Sequence, residues 1–140
     1  MIQHYFSNAP WLQIAVAGIA YFVLGAIWYM PALFGKYWAE KHGIQMNEES
    51  KKRMPMIMIM TFLFNIAMAV GMGLVLHISQ SPGTCMSGIK AGLLVSAVFT
   101  AAPIGINYLY TAKPLKLWII DAGYHVGGIT LMAIILSVWH

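Results

Sequence analysis

Four long apolar runs, each bounded by aromatic, charged or turn-forming residues, set the layout of this chain. The first runs from about Trp11 to Tyr29, apolar apart from Gln13, and Pro31 predicts its end. A second, from about Met54 to Ile78, is closed by Ser79-Gln80-Ser81-Pro82-Gly83-Thr84, which is turn chemistry throughout. The third covers about Met86 to Tyr110 and holds Pro103, which is expected to kink it. The fourth, from about Leu115 to Trp139, follows a connection as tight as Lys113-Pro114. A helix needs about 20 apolar residues to cross a bilayer, and all four runs are of that order. Residues 32–43, rich in aromatics and Lys, read as an interfacial helix after the first span, and residues 44–53 as a polar linker. Within that linker Asn47-Glu48-Glu49-Ser50 predicts a turn and a helix start. The pattern predicts an all-α membrane protein, a four-transmembrane-helix bundle whose short loops make neighbouring helices antiparallel.

Composition narrows the choice further. Hydrophobic residues make up 60% of the 140 positions and charged ones 9%, against roughly 25% charged in soluble domains. A soluble single-core domain is excluded, and one transmembrane domain over residues 1–140 leaves no room for an added soluble catalytic domain. The net charge of +4 is informative through its placement. Lys36, Lys41, Lys51, Lys52 and Arg53 lie between the first two spans and Lys113 and Lys116 between the last two, leaving Lys90 alone elsewhere. Cytoplasmic loops retain Lys and Arg, so both termini are expected outside the cytoplasm. These basic stretches flank apolar runs and include Glu40, Glu48 and Glu49, which points to phospholipid headgroups and not to nucleic acid. The first ten residues carry no Lys or Arg, so the first run reads as a retained helix, not a secretory signal. Cys85 is the only cysteine, which excludes an intramolecular disulfide and a single-chain thiolate metal site.

Ionisable groups inside a span cost about 2.5–3.5 kcal/mol at mid-bilayer and therefore need a partner, water or a function. Asp121 and His125 stand four residues apart in the fourth span, on one helical face and within mutual hydrogen-bond reach. Counting depth at 1.5 Å per residue brings Asn107 of the third span to the level of Asp121 and Asn65 of the second near that of His125. Tyr124, Tyr108 and Tyr29 add hydroxyls in the same half. The expected site is thus a polar cluster of Asp121, His125, Asn107, Asn65 and Tyr124, serving as a substrate or proton pathway or as interhelical glue. Gly88, Gly92 and Ser96, with Thr100 beyond, form a small-residue ridge for helix packing, and Gly123 and Gly127 a second one. Such ridges also suggest a homo-oligomer. Met54, Met56, Met58 and Met60 alternate around a helix, so they read as flexible apolar packing and no metal site is expected. His77 and His125 differ in depth by several turns, which argues against a shared haem; no cofactor is expected. His4, His42 and His140 fall in tails or loops and are expected to be solvated. No phosphate loop or nucleophile triad appears, so an enzyme is the less favoured class.

The string Gly25-Ala26-Ile27-Trp28-Tyr29-Met30-Pro31-Ala32-Leu33-Phe34-Gly35-Lys36-Tyr37-Trp38 resembles the signature of the bacterial domain of unknown function 1761. Gly88 to Leu94, Lys113-Pro114 and Asp121-Ala122-Gly123-Tyr124-His125 agree with it. The resemblance implies a small integral membrane protein with four helices, in a bacterial inner membrane, and brings no activity, substrate or cofactor. It also implies that relatives often carry Asn where this chain has Asp121, so that the charge is not essential to a role common to the family, which weakens a proton-relay reading. Trp28, Tyr29, Pro31, Phe34, Lys36 and Trp38 fit an interfacial elbow. Three functions follow as expectations: permeation of a proton or small solute through the polar cluster, a non-catalytic scaffold or sensor acting through the elbow, and an intramembrane enzyme or binder of a lipid-like ligand.

Overall fold

A computed structural model describes residues 1–45 and 47–139. His140, expected in a solvated tail, lies outside the described residues. The described chain is helical: α1 (Ile2–Ser7), α2 (Trp11–Trp28), α3 (Gly35–Lys41), α4 (Glu48–Ile78), α5 (Cys85–Ser96), a π-helical turn (Ala97–Ala101), α6 (Ala102–Tyr110) and α7 (Leu115–Val138). Four helical stretches are long and apolar enough to cross a membrane: α2, α4, the continuous α5–π–α6 unit and α7. Each of the four predicted apolar runs therefore lies in a helix of spanning length, and the short helix after the first of them is α3.

The ends of these helices follow from their sequences. α4 starts six residues before its apolar run, because Asn47 and Ser50 close a capping box in which Asn47 Oδ1 accepts from the Ser50 amide at 2.9 Å. Its far end is closed by a left-handed residue, Gln80, with the Ser81 amide donating to the Leu76 carbonyl at 3.0 Å. Gly43 (φ +65°) ends α3 in the same way, the Ile44 amide returning to Ala39 at 2.9 Å. The kink expected at Pro103 takes the form of the π turn immediately before it. A proline lacks an amide donor and crowds the preceding turn, and widening that turn relieves both. Trp118 Nε1 of α7 donates to the Ala101 carbonyl at 2.9 Å, which ties the widened turn to its neighbour.

α7 is the axis of the bundle. It packs against α5 most extensively, then α2, and α4 lies along α2 and part of α7. The α5 ridge explains the tightest contact. A Cβ built on Gly92 would stand 2.5 Å from Thr130 Cα, and one on Gly88 would stand 2.8 Å from Ile134 Cα. Ser96, next on the ridge, is fully buried. The ridge is consumed inside the chain, so it gives no support to a homo-oligomer. Gly123 and Gly127 accept no backbone: Gly123 faces the Trp28 ring and Gly127 is exposed beside Leu24.

We call the end carrying α3 and the α6–α7 connection the loop end, and the other the turn end. The core of Ile14, Ala17, Ala69, Met72, Ile129, Met132, Ala133 and Leu136 fills the turn-end half. There α1, absent from the sequence expectation, lays Tyr5 against α4, its hydroxyl donating to the Val70 carbonyl at 3.3 Å. Burial pushes the Tyr5 phenol above its ordinary pKa, which keeps it a neutral donor. At the loop end α4 stands clear of the bundle, with Met54, Met56, Met58 and Met60 all exposed.

Candidate functional site

Asp121 lies in the second turn of α7 and is only 7% exposed. Its carboxylate is met from two sides by phenols: Tyr29, at the C-terminal end of α2, donates to Oδ1, and Tyr108, near the end of α6, donates to Oδ2. His42, just past α3, completes the group with Nε2 at 4.0 Å from Oδ2 and 3.4 Å from the Tyr108 hydroxyl. Three separate connections thus converge on one carboxylate. His42, expected in a solvated loop, is instead half-buried, packed against the Trp38 ring with centroids 4.5 Å apart where α3 meets α7. Its side chain keeps 22% exposure.

One turn further along α7, His125 Nδ1 is hydrogen-bonded to the buried Tyr21 hydroxyl of α2. Tyr124 sits between the two pairs, its ring edge-on to both Tyr21 and Tyr29, with ring centroids 5.1 and 5.2 Å away. Small residues make this aromatic stack possible. A Cβ on Gly25 would approach the Tyr124 hydroxyl to 2.7 Å, and one on Gly128 the Tyr21 ring to 2.7 Å. The elbow is built onto the same surface. Trp28 Nε1 donates to the Ile120 carbonyl at 3.0 Å, Phe34 packs on Trp28, and Trp38 is edge-on to Tyr29. The elbow's aromatics face α7, while Pro31 and Lys36 are exposed.

Of the residues expected together, Asp121, His125 and Tyr124 share one face of the site. Asp121 and His125 do not bond each other; each takes a tyrosine of α2 as its partner. Asn107 is exposed on α6, and the polar group that α6 turns inward is its neighbour Tyr108. Asn65 is buried, at 3% exposure, in the half of α4 that packs on the bundle, and its Nδ2 has no hydrogen-bond partner. For Asn107 depth counting found the right level, since the adjacent Tyr108 bonds Asp121, but not the right azimuth, and it passed over Tyr21 and His42. Tyr21 carried a usable signal: it stands seven and eight residues before Trp28 and Tyr29, on the same face of α2.

Two of the segments on which the family resemblance rests, residues 25–38 and 121–125, meet here. The family described as a protein of unknown function, DUF1761, matches residues 12–137. The chain belongs to the DUF1761 family. Comparison with curated proteins and with solved structures gives no match. Two segments of this DUF1761 chain thus form one site, in which Trp28 ties the elbow to the start of α7 and Tyr29 donates to the carboxylate.

Proposed function

We propose that this protein moves a proton, or a small solute coupled to one, across the bacterial inner membrane, with Asp121 as the proton acceptor. One observation carries the reading. A carboxylate in a membrane-spanning helix is held by two phenols and approached from the loop end by a partly exposed imidazole. Imidazole takes up and releases protons near neutral pH, and carboxylate–imidazole chains inside membranes are typical proton relays. In this reading His42 passes a proton through Tyr108 to Asp121, and Tyr21–His125 forms the next station. The loop end, with seven of the eight basic residues, faces the cytoplasm; α3 lies in the interface and both termini are outside. Beyond His125 the apolar Ile129, Met132 and Ala133 close the route, so release at the turn end requires α7 to shift against α2 and α4. A scaffold acting through the elbow has less support, since Trp28, Tyr29, Phe34 and Trp38 are spent on intramolecular contacts.

Proteoliposomes carrying an imposed pH gradient test this. Wild-type protein is expected to collapse the gradient faster than empty vesicles. Asp121→Asn is expected to slow this by about 100-fold or more, the scale of losing a positioned acid–base group. His42→Gln is expected to give a smaller loss. Equal rates for wild type and Asp121→Asn would end the proposal.

A further inference from the structure

On the exposed side of α6 the chain leaves an open groove of about 390 Å³ that runs along the helix to the first turn of α7. It is lined by Ile106, Leu109, Leu115 and Trp118, with Tyr108 and Lys113 as the residues that carry polar groups. The groove is built into the fold. Trp118 is pinned by its bond to the Ala101 carbonyl at the π turn, and Gly105 leaves the space above the indole open, where a Cβ would come to 3.0 Å of Nε1. Lys113 is fixed by the α6–α7 turn, in which Ala112 takes a left-handed conformation (φ +53°) and the Lys113 amide returns to the Tyr108 carbonyl at 3.0 Å.

Other cations gather at the Lys113 end. Lys113 Nζ donates to the Lys41 carbonyl at 3.4 Å. The ammonium groups of Lys41 and Lys116 both lie over the Tyr37 ring, at 5.5 and 4.4 Å from its centroid. Among the described residues the ion pairs of the chain are Lys51–Glu48 and His42–Asp121, so these three lysines have no carboxylate partner. An apolar trough with Lys113 at its end and two further lysines nearby, none of the three paired with a carboxylate, is complementary to one kind of molecule, an apolar chain carrying an anionic head.

We propose that this groove binds one anionic phospholipid, with an acyl chain along Ile106, Leu109, Leu115 and Trp118 and the phosphate at Lys113, between Lys41 and Lys116. A free anion uses the ammoniums but leaves the trough empty, and a zwitterionic lipid fills the trough without balancing the charge. The site also adjoins the buried carboxylate, because Tyr108 is both a wall of the groove and a donor to Asp121. The lipid assignment stands on the groove and the lysines and does not require that Asp121 move protons.

Native mass spectrometry of the full chain in mild detergent tests it, with phosphatidylglycerol and phosphatidylcholine of identical chains and with inorganic phosphate as probes. Phosphatidylglycerol is expected to be retained roughly tenfold better than phosphatidylcholine. Lys113→Gln with Lys116→Gln is expected to abolish that preference, and Lys41→Gln, on a different element, to reduce it. Ile106→Trp, which fills the trough, is expected to lower retention of both lipids. All of these positions lie outside the buried core. Equal retention of the two lipids by wild-type protein, or a preference unchanged in the double variant, overturns the proposal. So does displacement of the lipid by inorganic phosphate, which makes this a free-anion site.

Discussion

Gly92→Val is expected to cost about 3 kcal/mol or more, the upper range for overpacking, and to prevent α5 from docking on α7. The reason is the identity of the neighbour. The Cβ would meet the Thr130 Cα, a main-chain atom that cannot rotate away, and Ala133 Cβ stands 3.2 Å off on the same side. Relief requires the two helices to separate along their longest contact, which also uncovers Gly88 and the buried Ser96. Gly71→Ala is the control. It lies on the exposed side of α4 with nothing within 4 Å of its Cβ, so the substitution is expected to be neutral or stabilising by roughly 0.5–1 kcal/mol through helix propensity. Reversible unfolding in mixed detergent micelles measures both. A Gly92→Val protein as stable as wild type would show that α5 and α7 do not approach this closely.

Asp121→Leu is expected to destabilise the protein by about 2–4 kcal/mol, because the Tyr29 and Tyr108 hydroxyls lose their acceptor in a water-poor interior. Asp121→Asn is expected to cost under about 1 kcal/mol. Its amide oxygen accepts from one phenol and its NH₂ donates to the other, so the links from α7 to α2 and α6 survive. The pair of variants separates two roles of one residue. If the cluster only holds helices together, Asn restores everything; if the carboxylate carries a proton, Asn restores stability and leaves flux lost. The same argument explains how an Asn at this position, implied for relatives by the resemblance, fits the same packing.

The spans were legible because each is a long apolar run with its stop signal in place: Pro31 after α2, Pro82-Gly83 after α4, Lys113-Pro114 after α6. The Gly88–Gly92–Ser96 ridge was legible as a contact surface for a similar reason, since small residues at a spacing of four have few other uses in a span. Its partner was not, because nothing in the spacing tells an intramolecular contact from one between copies. The site was legible at Asp121 and His125, whose cost in a membrane marks them, and illegible in its partners. Asn107 and Tyr108 are adjacent on α6, and the helix turns one inward and the other outward through a rotation that depends on the π turn. His42 was hidden for another reason: only the packing of α3 against α7 brings it to Asp121, and that contact is tertiary. α1 lacks the length of a span, and what holds it is the fit of Tyr5 into the space that Gly73 leaves open.

The most direct measurement is infrared difference spectroscopy across a pH step on wild-type and Asp121→Asn protein in lipid. The acidic side chains are Asp121 and the exposed Glu40, Glu48 and Glu49, so the two proteins differ by a single carboxyl. A protonated-carboxyl band that rises on acidification in wild type, is missing in Asp121→Asn and is accompanied by shifts in tyrosine bands is the predicted result. Identical carboxyl difference bands in the two proteins would show that Asp121 does not exchange a proton and would contradict the account.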